Sequence, residues 1–109
     1  GTGTKDILRN YLEDYCVNRI QKDDFEDLKN GGTYTKEGYH HFVFDNFFHN
    51  YLSRKHWKVP YQRTSQMLKD NLHCTTKRVG RHKLSVFAVA RFDKQTETYK
   101  PKPFKKDNY

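Results

Sequence analysis

The chain contains few of the residues that cross-link or interrupt a small fold: its 109 residues include only two cysteines and three prolines. Two cysteines allow one disulfide at most, which is too few for the disulfide framework of a small secreted domain. No apolar run approaches the roughly 20 residues that a membrane-spanning helix needs, and nothing resembles a signal peptide. These absences favour an intracellular protein, in the cytoplasm of a prokaryotic host or in a eukaryotic nucleus.

Patterns typical of enzymes and metal sites are also lacking. Six histidines are present, but the sequence has no Cys-x-x-Cys pair and no His-x-x-x-His pair on a helix face. There is no phosphate-binding loop of the Walker type, and the carboxylates, which lie mostly in the N-terminal third, form no cluster. The sequence therefore predicts no cofactor, no metal site and no enzymatic activity.

Aromatic residues, in contrast, are abundant. Only 34% of the residues are hydrophobic, but 16% are aromatic, with eight Phe and eight Tyr. A small core can be filled by such side chains, since each removes about 150–250 Å² from water. The length predicts one domain over 1–92, and the unpatterned Lys, Thr and Pro that follow predict a flexible basic tail over 93–109. The start Gly-Thr-Gly indicates a domain taken from a longer protein.

Positive charge is concentrated in the second part of the chain. Residues 1–37 hold six basic and eight acidic residues, whereas residues 38–109 hold fifteen basic and five acidic ones, which gives −2 and +10 and a net charge of +8. Such asymmetry predicts one surface that meets a polyanion. The alternative is that the basic residues only keep a small domain soluble.

The first third of the chain shows helical periodicity. Apolar residues recur at three- and four-residue steps and predict an amphipathic helix over 4–21 with Thr4 as its cap. Its apolar residues are Ile7, Leu8, Tyr11, Leu12, Tyr15, Cys16 and Ile20. Cys16 is therefore expected to be a buried free thiol. The acidic stretch 22–30 predicts one or two helical turns that end at Gly31-Gly32, and 33–38 is interpreted as a connecting loop.

The remaining elements follow from residue type and spacing. An aromatic strand over 39–44 precedes a helix that is capped by Asp45 and runs to about residue 55. Trp57 is expected to close the core, and Val59-Pro60 begins a helix that ends near residue 73 and buries Thr64, Met67, Leu68 and Leu72. A strand over 75–79, a turn at Gly80-Arg81 and an alternating strand over 84–91 complete a hairpin.

This order of parts predicts an α+β fold of the winged helix-turn-helix type: helix, short helix, strand, helix, helix and a β-hairpin wing. In such a module one helix enters the major groove and the hairpin lies beside it. Arg63 and Gln66 are the candidates for base reading, because Arg pairs twice with guanine and Gln with adenine. Gln62, Ser65 and Lys69 are expected to make phosphate or secondary contacts.

Two further basic groups belong to the predicted contact set. Arg and Lys at a hairpin tip are placed to meet phosphates or to enter a groove. The wing group is Lys77, Arg78, Arg81, His82 and Lys83. The second group, Arg54, Lys55 and Lys58, lies at the end of the preceding helix. Its positive charge suits the helix dipole equally well without a ligand.

About half of the chain resembles winged-helix modules that are appended to replication proteins of phages and mobile elements, notably helicase-primases and initiators. The layout is also similar to the eukaryotic RFX-type winged helix. The resemblance is one of pattern, carried by the segments HFVFDNFFHNYL, RKHWKVPYQR, YQRTSQMLKDNLHC and TTKRVGRHKLSVFAV. It implies that Gln62, Arg63, Gln66 and Lys69 occupy outward positions of a recognition helix. It likewise implies that Arg78, Arg81 and Lys83 occupy wing positions.

The predicted function is therefore binding of double-stranded DNA at an origin-like or operator-like site, as a module of a larger replication or regulatory protein. Two alternatives remain at the level of sequence. One is a protein-interaction winged helix, with a partner at the N-terminal helix, at the aromatic surface or at the acidic stretch 22–30. The other is a single-stranded DNA or RNA binder that stacks bases on Tyr39, Tyr61 or Tyr99.

Overall fold

The computed structural model describes residues 3–92, so the predicted tail over 93–109 lies outside the described residues. Its helices are α1 (Thr4–Val17), a 3-10 helix (Phe25–Asn30), the α2 segment and α3 (Tyr61–Asn71). The α2 segment is continuous and consists of an α-helical turn (Phe44–Asn46), a π turn (Phe47–Tyr51) and a 3-10 turn (Leu52–Lys55). The strands are β1 (Tyr34–Lys36), β2 (Tyr39–Phe42), β3 (Thr75–Val79) and β4 (Leu84–Ala90). The described chain is therefore a mixed α+β fold.

The four strands form one antiparallel sheet in the order β1-β2-β4-β3. β3 and β4 are a hairpin, and β2 adds to its other edge with His41 opposite Ala88 and Phe42 opposite Phe87. The α2 segment and α3 lie in sequence between β2 and β3. The pairing of β2 with β4 therefore brings both helical elements against the sheet. The prediction of a strand over 39–44 is confirmed for Tyr39–Phe42, whereas Val43 occupies the cap position of the α2 segment and Phe44 begins it.

Strand β1 corrects the prediction of a loop over 33–38. Its three residues pair with β2 through a tight turn at Glu37 and Gly38, whose φ angles are 53° and 84°. Two consecutive positive φ angles are typical of the type I′ turn that joins the strands of a hairpin. The run is too short to show a two-residue alternation, which is why periodicity did not reveal it.

Helix α1 is shorter than predicted. It ends at Val17 instead of residue 21, and Gly3, not Thr4, occupies the cap position, without a side-chain cap bond. Beyond α1 the chain pairs with Thr33: the Thr33 N–H donates to the Ile20 carbonyl at 3.0 Å, and the Lys22 N–H donates to the Thr33 carbonyl at 2.7 Å. This pairing stops the helix and leaves Ile20 exposed, although the spacing placed it on the apolar stripe.

The α2 segment has the predicted position but a different start. Val43 occupies the cap position, and the Asp45 carboxylate accepts a hydrogen bond from the Tyr61 hydroxyl. The segment ends at Lys55, and the next residue, His56, adopts a left-handed conformation with φ 59°. Trp57 then joins the α2 segment to α3, because its Nε1–H donates to Thr64 Oγ1 at 2.8 Å. Trp57 is half-buried against the core, as expected.

The sheet is covered on both faces. The main cluster lies between the helices and one face, where Leu12, Phe42, Phe47 and Leu68 are fully buried. The 3-10 helix covers the other face with Leu28, which packs with Val79 and Val86. Residues 86–90 are consequently all buried, so neither face of this part of the strand is exposed to solvent. The buried Cys16 and Cys74 are free thiols, as predicted for Cys16.

His41 belongs to the layer beneath the 3-10 helix and is fully buried. Its Nδ1 lies 3.0 Å from the Tyr34 carbonyl oxygen, and its ring meets Phe25 edge-on at 4.9 Å between centroids. Burial lowers the pKa of His41 from 6.5 to about 4, and the positive charges of neighbouring basic residues act in the same direction. The imidazole is therefore neutral in the folded protein above that pH.

We expect stability to fall as the pH drops from 6.5 towards 4. In this window the unfolded chain binds a proton at His41 that the folded chain does not bind, so protonation favours unfolding. Urea denaturation in steps across the window should show a smaller pH dependence for His41→Asn. The matched control is His49→Gln, since His49 is exposed. Equal pH dependence in the parent and His41→Asn would contradict this assignment.

Candidate nucleic-acid interface

Helix α3 presents a polar face to solvent because its apolar face is buried. Thr64, Met67 and Leu68 lie in the core, as their spacing predicted. The predicted contact residues Gln62, Arg63, Gln66 and Lys69 are exposed, and Ser65 is half-buried. The structure thus brings four of the five predicted residues of this helix together on its solvent side.

The start of α3 is fixed by side-chain bonds. Pro60 occupies the cap position. Proline has no backbone N–H, and the first N–H groups of a helix have no acceptor within the helix, so Pro60 leaves no donor unsatisfied there. Thr64 Oγ1 lies 2.9 Å from the Pro60 carbonyl oxygen and also accepts from Trp57. Together with the bond between Tyr61 and Asp45, these contacts hold the first turn and therefore the position of Arg63.

Two of the predicted contact residues on α3, Gln66 and Lys69, have partners within the protein. Gln66 Nε2 donates to Asp70 Oδ1 at 2.8 Å, one turn further along the helix. Pairing with adenine uses both the oxygen and the NH₂ group of the Gln side-chain amide. Base reading therefore requires Gln66 to break its hydrogen bond with Asp70. The Lys69 ammonium lies 5.8 Å from the centroid of Phe87 on β4. This contact places the second half of α3 beside the hairpin strand.

The turn of the β3–β4 hairpin runs from Gly80 to Lys83, longer than the predicted Gly80-Arg81 pair. Gly80 and Lys83 have φ angles of 79° and 55°, and the Lys83 N–H donates to the Gly80 carbonyl at 3.3 Å. The side chains of Arg78, Arg81, His82 and Lys83 are exposed. Arg78 also donates to the Lys83 carbonyl at 3.5 Å. Four cationic or ionisable side chains thus lie around one turn.

Lys77 does not join them. Successive residues of a strand face opposite sides of the sheet. Arg78 is exposed, whereas Lys77 is half-buried and its Nζ is removed from solvent. Lys77 therefore lies on the face that the 3-10 helix covers, and it is not placed to contact a ligand at the hairpin surface. This corrects the prediction that both residues belong to the contact set.

An acidic residue lies at the hairpin turn, and sequence reasoning missed it. Glu26 of the 3-10 helix has Oε1 3.4 Å from the His82 backbone N–H. A Cβ on Gly80 would lie 2.2 Å from the same oxygen, which shows how closely the carboxylate approaches the turn. The two segments are 56 residues apart in sequence. No local pattern could have predicted this contact.

The basic group at residues 54–58 is divided. The Lys55 ammonium lies over the rings of Tyr11 and Tyr51, 5.9 and 5.3 Å from their centroids, and thus faces α1. Arg54 borders a groove with Arg19 on the same side. Lys58 is exposed in the turn that leads into α3. Only Lys58 of the three is therefore close in sequence and position to the start of α3.

Residues 3–92 contain no group of three or more His, Cys, Asp or Glu side chains that could hold a metal ion. Burial raises the pKa of the Cys16 and Cys74 thiols, which keeps both protonated. In the same part of the chain, no helix combines the length and the apolar character needed to cross a membrane.

Comparison of the chain with protein-family models, curated proteins and solved structures finds no match. The geometry of the described residues is therefore the basis for a functional proposal.

Proposed function

We propose that this domain is a winged-helix module that binds double-stranded DNA. The observation that carries the proposal is the strand order β2-β4-β3 with the α2 segment and α3 between β2 and β3. This is the order of strand, helix, helix and hairpin of a winged helix. β1 and the 3-10 helix are additions before β2. In this arrangement α3 is the recognition helix and the β3–β4 hairpin is the wing.

The distribution of exposed charge supports a polyanionic ligand. Arg63 and Lys69 on α3 are exposed, as are the wing residues Arg78, Arg81 and Lys83. Phosphate contacts from such side chains supply most of the affinity and do not depend on sequence. Sequence specificity comes from Arg63 and Gln66, because their side chains have the hydrogen-bonding groups that can pair with base edges. The domain serves a larger replication or regulatory protein by locating it at an origin-like or operator-like site.

Fluorescence anisotropy with labelled duplex and single-stranded DNA tests the proposal, from about 50 to 200 mM salt, where several phosphate contacts change affinity strongly. We expect duplex binding that weakens steeply as salt rises. Negligible duplex binding at the lowest salt would contradict the proposal. Preference for single strands would favour base stacking on Tyr61, whose side chain is 37% exposed.

Arg63→Ala is expected to relax sequence preference. A bidentate pair with guanine is worth about 1–3 kcal/mol of discrimination, so its loss narrows the gap between preferred and scrambled sites. The measurement is a competition assay with the preferred site selected for the parent protein. Lys83→Ala is the matched control, because loss of a phosphate contact weakens all sequences alike. Unchanged discrimination in Arg63→Ala would exclude Arg63 as a base-reading residue.

Glu26→Gln is expected to strengthen duplex binding several-fold at low salt. Glu26 places a carboxylate against the wing turn, where it repels phosphates at short range. The amide oxygen of Gln can still accept the bond from the His82 N–H. The gain should vanish at high salt, since screening removes the repulsion. Glu37→Gln is the control, because Glu37 is an exposed acid at the turn between β1 and β2. An equal gain in both variants would assign the effect to net charge.

A further inference from the structure

A groove of about 540 Å³ separates the end of α1 from the α2 segment. Its floor includes the rings of Tyr15 and Tyr51, and one wall is the backbone turn at Gly31-Gly32. None of its lining residues comes from α3, β3 or β4. The groove is therefore distinct from the proposed DNA interface.

The rim of the groove is cationic. Arg19, Arg54 and Lys55 all line it. The nearby acid Asp14 is engaged: it accepts hydrogen bonds from Tyr51 at 2.7 Å and from Arg19 Nη2 at 3.0 Å. These bonds, with one from Asn18, lower the pKa of Asp14 to about 2, so it stays ionised and holds Arg19 at the rim. Arg54 and Lys55 of the α2 segment add two further cations to the lining, and neither forms an ion pair with Asp14.

An exposed apolar side chain also lies at this groove. Of the large hydrophobic residues described, only Val17, Ile20 and Tyr61 are exposed, and the first two are 50% and 66% exposed. Ile20 lines the groove, whereas Val17 lines a separate pocket together with Cys16 and Phe92. An apolar side chain at the edge of a polar rim is typical of a protein-binding surface.

We propose that this groove binds an acidic segment of a partner protein that carries an apolar anchor residue. Carboxylates of the segment would pair with Arg54 and Lys55, and the anchor would pack on Ile20, since the Tyr51 ring is buried beneath the Arg19 and Lys55 cations. A nucleic-acid backbone fits less well, because it has no apolar side chain that could pack on the exposed Ile20. The proposal does not depend on DNA binding by α3 and the wing.

The probe is a short fluorescent peptide in which a Leu-Phe pair is flanked by glutamates. We expect saturable binding, with amide chemical-shift changes in nitrogen-15 spectra at Ile20, Gly31, Gly32 and Asn50. Arg54→Glu and Ile20→Ser should each weaken binding about tenfold, the effect of losing one important interface contact. Both residues are exposed, so circular dichroism should show an unchanged fold.

Lys5→Glu is the matched control, since it makes the same charge change on an exposed residue at the other end of α1 and should leave binding unchanged. A peptide with lysines in place of glutamates should not bind. Absence of binding by the acidic peptide, or shifts outside the groove, would overturn the proposal. Weakened duplex binding by Arg54→Glu, equal to that of a wing variant, would also overturn it, because the groove would then be a nucleic-acid contact.

Discussion

Replacing Arg81 and Lys83 together by alanine is expected to weaken binding to duplex DNA of any sequence by on the order of 10- to 100-fold at low salt. Both side chains are exposed at the turn of the wing. Each lost phosphate contact removes about 0.9 from the slope of log affinity against log salt, so the slope should fall by about 2. Anisotropy titrations at several salt concentrations measure both quantities.

The control is a double alanine variant that also loses two positive charges, but at positions outside the wing. Lys5 and Lys29 are exposed on α1 and on the 3-10 helix, and their double alanine variant should bind nearly as the parent does. Arg78 is kept in the wing variant because it contacts the Lys83 carbonyl and supports the hairpin. Equal losses in the two double variants would mean that net charge, and not the wing, determines affinity.

Elements with strong local patterns could be predicted from sequence. The spacing of Thr64, Met67, Leu68 and Leu72 defines the buried face of α3, and Gly80 supplies the positive φ that the hairpin turn needs. These features depend on neighbours in the chain. Their prediction is therefore independent of the tertiary structure, and the exposed face of α3 follows from the buried one.

Features that depend on distant contacts could not be predicted. β4 is buried on both faces because the 3-10 helix covers the face that points away from the main core. The approach of Glu26 to the wing has the same origin. The side on which Arg54 and Lys55 lie is set by the π turn at Phe47–Tyr51. A π turn has more residues than an α turn, so it shifts the face that later residues occupy.

Lys77 is a different case, because the sequence did contain the signal. Val79 follows it by two residues, and residues two apart in a strand share a face. A buried Val79 therefore places Lys77 on the covered side and Arg78 on the exposed side, as the structure has them. The two-residue period of a strand therefore already separates Lys77 from Arg78 in the sequence.

Phe42→Ala is expected to destabilise the domain by about 3–5 kcal/mol. Phe42 is fully buried on β2. Its ring lies 5.7 Å from that of Phe47 and 5.8 Å from that of Phe87, so it links the sheet to the α2 segment. Alanine leaves a cavity at this junction, and the loss is a large part of the roughly 5–15 kcal/mol that stabilises a typical domain.

Urea denaturation measures this effect, with Phe42→Leu and Ile20→Ala as matched controls. Phe42→Leu keeps part of the volume and should lose clearly less stability. Ile20→Ala removes apolar atoms from a side chain that is 66% exposed, so its effect should stay within about 0.5 kcal/mol. If Phe42→Ala unfolded no more easily than Ile20→Ala, Phe42 would not join the sheet to the α2 segment. The closure of β2 onto the hairpin, on which the proposed winged-helix arrangement rests, would then lack its central contact.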